Sequence, residues 1–84
     1  MEYKYKTKGV CASQINININ DGLVEDVSFV SGCNGNLKGI AALVKGRSVD
    51  EVIDVLSGIK CNFKNTSCPD QLAKALESIK ANEL

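Results

Sequence analysis

Ser13-Gln14-Ile15-Asn16-Ile17-Asn18-Ile19-Asn20 is the stretch that decides how this chain folds. Three isoleucines alternate with amides. In an extended backbone, where successive side chains point to opposite sides, they give one apolar face and one wet face. The turn that follows, Asn20-Asp21-Gly22, is made of residues that tolerate positive φ, so it predicts a tight hairpin. It leads into a third strand from Leu23 to Val30, with Val27 and Phe29 on the isoleucine side. Val24 and Val30 fall on the opposite side of a regular strand, which predicts a bulge or partial cover by a helix. Upstream, Glu2 to Lys8 sets Tyr3, Tyr5 and Thr7 against charged groups in the same period of two, a first strand ending near Gly9. The three strands form an antiparallel meander.

Past Val30 the period becomes helical. Ser31-Gly32-Cys33-Asn34-Gly35-Asn36 is a glycine-rich and amide-rich loop, followed by Leu37, Ile40, Ala41 and Val44 at helical spacing and a stop at Lys45-Gly46. Ser48-Val49-Asp50-Glu51 has the form of a capping box, with Val49, Val52, Ile53 and Leu56 as the apolar stripe and a close at Ser57-Gly58. A loop from Ile59 to Ser67 precedes a third helix. There Ser67 or Cys68 caps, Pro69 sits where its missing amide costs nothing, and Asp70 places a favourable charge in the first turn. Leu72, Ala75, Leu76 and Ile79 supply its apolar face, and the end from Ala81 to Leu84 is expected to fray. Three strands then three helices predict an α+β sandwich, with the helices on the isoleucine face of the sheet.

The 84 residues make one domain, residues 1–84, and a hydrophobic fraction of 44% with 24% charged suits a folded globular chain. Ten basic and ten acidic residues cancel, so no net field draws the chain to nucleic acid or an anionic membrane. The N-terminal residues lack the apolar run of a signal peptide, and no stretch approaches the roughly 20 apolar residues of a membrane span. A cytoplasmic location is expected. In that reducing compartment cysteines stay free, which favours metal or catalytic roles over structural disulfides.

The four cysteines, Cys11, Cys33, Cys61 and Cys68, all fall at the ends of elements, and none lies within an apolar stripe. Four unrelated buried thiols are the alternative, but ligands that must converge need loop positions such as these. The meander returns the loops of Cys11 and Cys33 to one end of the sheet. Cys33 and Cys68 each precede a helix, where free amides and the dipole favour an anionic sulfur. Four thiolates suit tetrahedral zinc, or alternatively an iron-sulfur cluster, and argue against magnesium or calcium. There is no C-x-x-C pair, so closure must come from the fold.

With no histidine in the chain, a Ser/His/Asp or Cys/His apparatus is absent and the domain is not expected to be catalytic alone. The loop from Gly32 to Asn36 lacks a P-loop lysine and a dinucleotide fingerprint, and is expected simply to turn. Lys4, Lys6, Lys8, Lys45 and Arg47 are expected to be solvated charges.

Thr66-Ser67-Cys68-Pro69-Asp70, followed by Gln71-Leu72-Ala73, resembles the signature of the TSCPD domain family, over nearly the whole chain. That family occurs as short stand-alone proteins and as a C-terminal extension of some ribonucleoside-diphosphate reductases, notably adenosylcobalamin-dependent ones. The layout from about Gly9 to Ala81 also resembles the U-type iron-sulfur cluster scaffold. It shares a cysteine before a strand pair joined by an Asn-Asp turn (Cys11), a Gly-Cys after the third strand (Gly32-Cys33), a helix ending Val44-Lys45-Gly46, a serine-capped helix at Ser48, and a last cysteine heading the final helix (Cys68). Ser13 stands where the scaffold has an aspartate, and Ser67 where it has a histidine. Cys61 would replace that missing ligand and turn a labile cluster site into a closed four-sulfur site.

The four end-of-element thiols and the resemblance to the TSCPD family together point to a metal-binding module with zinc at Cys11, Cys33, Cys61 and Cys68, accessory, as the resemblance implies, to a ribonucleotide reductase. Two alternatives accompany this. One is iron-sulfur assembly or carriage. The other is dithiol exchange between Cys61 and Cys68 that delivers electrons to a reductase, though six intervening residues are wide for such a motif. No oligomeric state follows from the sequence.

Overall fold

In the computed structural model, which describes residues 1–32, 34–61 and 63–82, β1 (Glu2–Lys6), β2 (Gln14–Asn20) and β3 (Leu23–Val30) form a sheet in the order β1-β2-β3. Both pairings are antiparallel. Helices α1 (Asn34–Val44), α2 (Val49–Leu56) and α3 (Cys68–Lys80) follow, giving the α+β layout that the change of period predicts. No helix among the described residues is long and apolar enough to cross a membrane.

The isoleucine face is the core face. Ile15, Ile17, Val24 and Val27 of the sheet pack with Val44 of α1, Val49 and Val52 of α2, and Leu72, Ala75 and Leu76 of α3. Amides of β2 line the other side of the sheet, where Gln14 Nε2 donates to Asn16 Oδ1 at 2.7 Å and Asn16 Nδ2 to Ser28 Oγ at 3.3 Å.

Val24 resolves as the sequence anticipates. The β2–β3 register shifts between Asn18 and Ile19: Asn18 faces Asp26, but Ile19 faces Val24, so β3 carries an extra residue. That bulge turns Val24 to the apolar side, where it is fully buried. Val30 receives no such correction and is 44% exposed. In the hairpin, Asp21 (φ 53°) and Gly22 (φ 75°) both adopt the left-handed region that the turn requires.

The connection between α1 and α2 lies alongside the start of β3. Val24 donates to Arg47 O at 2.8 Å, Gly46 to Val24 O at 2.7 Å, and Val49 to Gly22 O at 2.9 Å. Ser48 caps α2 by accepting from Glu51 N at 3.1 Å. Only this half of the capping box is seen, because the Glu51 carboxylate lies 3.5 Å from Arg47 Nη1.

Candidate functional site: the thiol-bearing end of the sheet

Gly32 draws the first two thiol-bearing segments together. Two residues past the end of β3 it has φ 92°, and a Cβ placed there would lie 2.9 Å from Ala12 N and from Leu37 Cδ1. Backbone therefore passes against backbone where only glycine fits. Beside this crossing, Ser13 N donates to Val30 O at 2.8 Å, and the Ser31 hydroxyl lies 3.5 Å from Cys11 O and 3.4 Å from Ser13 Oγ. Ala12 is buried beneath, while Cys11 is exposed. Cys33, which follows Gly32, lies outside the described residues.

The other two cysteines flank the start of α3. Cys61 N donates to Thr66 O at 3.1 Å and Cys61 O accepts from Lys64 N at 2.9 Å, so this loop closes on itself. Its side chains face out: Cys61 is exposed, and Phe63 is fully so. Cys68 is the first residue of α3 and is half-buried.

Around Cys68, the polar residues of the same stretch are tied to neighbouring segments. Ser67 is the N-cap: its hydroxyl accepts from Asp70 N at 3.1 Å and donates to Ile59 O at 2.6 Å. Asp70 is only 4% exposed. Its Oδ1 accepts from Gly58 N at 2.7 Å, its Oδ2 accepts from the Thr66 hydroxyl at 2.5 Å, and Lys74 Nζ stands 3.4 Å from Oδ2. Burial works to raise the Asp70 pKa, but the Thr66 hydroxyl, the Gly58 amide and the Lys74 ammonium outweigh it and hold the carboxyl below its ordinary value of 3.8. Gln71, also buried, donates from Nε2 to Thr66 Oγ1 at 3.0 Å and accepts from Lys8 N on Oε1 at 3.1 Å. Thus α3 holds the α2 exit, the Cys61 loop and the β1–β2 connection.

Sequence reasoning assigned Asp70 a first-turn charge and gave Thr66 and Gln71 no role. The i,i+4 spacing of Thr66 and Asp70 was the available signal, but their partners Gly58 and Lys8 lie beyond any local pattern.

The segments of the three described cysteines meet at one end of the sheet: that of Cys11 through Ser31 and Lys8, that of Cys61 through Thr66, and Cys68 at the helix head. The side chains themselves do not gather. Among the described residues, no group of three or more Cys, Asp or Glu is placed to hold a metal ion, and Cys11, Cys61 and Cys68 are free thiols.

Comparison with known proteins gives one match: the model of a family described as the TSCPD domain, over residues 1–80. Searches of curated proteins and of solved structures each found no match.

Proposed function

The chain belongs to the TSCPD domain family, and we propose that it is a small noncatalytic metal-binding module that holds zinc through Cys11, Cys33, Cys61 and Cys68 in the service of a ribonucleoside-diphosphate reductase. The observation that supports this reading is the meeting of the Cys11, Cys61 and Cys68 segments at one end of the sheet. All three thiols sit on loops or at a helix start, none is fully buried and none belongs to the apolar core, so their segments can rearrange around an ion without opening that core. The donor set fits zinc or iron: with sulfur as the soft ligand and no histidine in the chain, thiolates are the natural choice. Because the three described thiols do not gather beforehand, binding is coupled to rearrangement of the segments that carry them, and the ion supplies that folding free energy when bound.

Metal analysis of protein purified without oxygen tests the proposal. One equivalent of zinc per chain, lost on replacing any of the four cysteines by serine, is expected, with a thermal midpoint that falls on chelation. A folded, metal-free chain whose midpoint does not respond to added zinc would overturn it. Iron and sulfide with visible absorption would instead assign a cluster to the same residues. A reductase whose turnover is indifferent to the domain would remove that partner.

A further inference from the structure

The polar side chains at the head of α3 form a hydrogen-bond chain that has a direction. The Lys8 amide can only donate, so the end of Gln71 that faces it, 3.1 Å away, is Oε1. Nε2 is thereby turned to Thr66, whose oxygen accepts at 3.0 Å. Thr66 has a single hydroxyl hydrogen, and it goes to Asp70 Oδ2 at 2.5 Å. From the other side Gly58 N, again a donor only, reaches Asp70 Oδ1 at 2.7 Å. A chain with a backbone donor at each end needs one member that accepts on both of its atoms, and an ionised carboxylate is that member.

We propose that Asp70 is a positioning residue whose charge, acting through Thr66 and Gln71 on Lys8 and directly on Gly58, holds the Cys11 and Cys61 segments in register with Cys68. The thiol segments are its object because of the metal reading above, on which that part of the inference rests.

The charge can be separated from the shape. Asp70→Asn keeps the outline but leaves one oxygen. If that oxygen accepts from Gly58, the new amide nitrogen donates to Thr66, and the Thr66 hydrogen must turn to Gln71. Gln71 then flips to offer Oε1 and presents its NH2 group to the Lys8 amide, donor against donor. The damage then appears at Lys8, at the far end of the chain of bonds; with the amide the other way round, its NH2 group faces the Gly58 amide and the damage appears there. Adding Gln71→Glu repairs it: one oxygen of the new carboxylate takes the Thr66 hydrogen and the other takes Lys8 N–H. The chain of bonds then runs in reverse with the same total charge.

Amide hydrogen exchange on the full chain reads this directly. Lys8, or Gly58 where the Asn oxygen keeps the Thr66 hydrogen, should exchange about tenfold faster in Asp70→Asn, as for one lost buried hydrogen bond, and should recover to within about twofold in Asp70→Asn/Gln71→Glu. Zinc affinity, read by competition with a chromophoric chelator, should fall about tenfold in the single variant and recover in the double, as for residues that orient ligands without binding the ion. Protection unchanged at both Lys8 and Gly58 in a folded Asp70→Asn variant, or no recovery in the double variant, overturns the proposal. If the single variant does not fold, a cooperative thermal transition in the double variant shows the same recovery, and its absence counts against. A wild-type chain that binds no zinc yet shows this exchange pattern refutes the metal reading alone and leaves the positioning role supported. Zinc bound by all variants with equal affinity and unaltered exchange at Lys8 and Gly58 does the reverse.

Discussion

Replacing Gly32 by alanine puts a methyl group into the crossing that joins the Cys11 segment to the end of β3. Two costs add. An L-residue in the left-handed region loses about 1–2 kcal/mol, and φ at Gly32 is 92°. The new Cβ would also stand 2.9 Å from Ala12 N and from Leu37 Cδ1, and 3.2 Å from Ala12 Cα. The leucine methyl can swing aside, but the Ala12 backbone cannot, because Ser13 N is bonded to Val30 O at 2.8 Å and the Ala12 side chain is buried. Overpacking of this kind costs roughly 1–3 kcal/mol. Against this, alanine restricts the unfolded chain and returns about 0.4–1 kcal/mol. The net loss is roughly 2–4 kcal/mol, a large part of the roughly 4–12 kcal/mol expected for a domain of this length. Gly22→Ala is the control: its φ is also positive, at 75°, but nothing lies within 4 Å of its Cβ. Urea denaturation followed by circular dichroism compares them at fixed m-value. Gly32→Ala should lose about 1–3 kcal/mol more than Gly22→Ala. Equal losses would refute the close approach and leave only backbone conformation.

Other substitutions separate packing, capping and charge. Leu76→Ala, at a fully buried position where the helices meet the sheet, should lose about 2–5 kcal/mol in the same assay, while Phe63→Ala, fully exposed, should change stability by less than about 0.5 kcal/mol. Ser67→Ala deprives Asp70 N of its acceptor and Ile59 O of its donor, so a loss of about 1–2 kcal/mol is expected. Asp70 also makes a pH signature. Its folded pKa lies below the unfolded value of 3.8, so its contribution is complete above that value and is lost as pH falls through the folded pKa. Metal-free protein should therefore lose less stability between pH 5 and pH 2 when Asp70 is asparagine, and an identical slope in both chains would contradict the assignment.

The parts of the fold legible in the sequence are those fixed by local period. Alternation in β2 named the core face, and Leu37, Ile40, Ala41 and Val44, then Val49, Val52, Ile53 and Leu56, marked helices that do lie on it. Val24 was legible as a conflict, since period 2 put it on the wet side and so called for a bulge; which of the strand's residues is the extra one is fixed only by the pairing with β2. The cysteines were legible as end-of-element residues, and the structure brings the segments of Cys11, Cys61 and Cys68 to one end. What the TSCPD letters do was not legible. Thr66, Ser67, Asp70 and Gln71 look like a helix start, which Ser67 and Asp70 do supply. Their further partners, Ile59, Gly58 and Lys8, are found only when the chain has closed. A family signature spelled around a cysteine thus consists largely of residues that hold the cysteine's surroundings.

The contact between the α1–α2 connection and β3 has a consequence for the chain among its neighbours in solution. In a three-stranded sheet β1 and β3 are both edges, and an edge strand with unpaired amides and carbonyls is a template on which another molecule can add a strand. At Val24 both backbone groups are already taken, by Arg47 O and Gly46 N, and Gly22 O is taken by Val49 N. The half of β3 nearest the hairpin is thereby closed to strand addition. On the opposite edge, β1 carries Glu2, Lys4 and Lys6, and a second molecule added there in register would bring like charges together. The helix connection thus closes half of one edge, and the charges of β1 oppose a parallel, in-register second copy on the other.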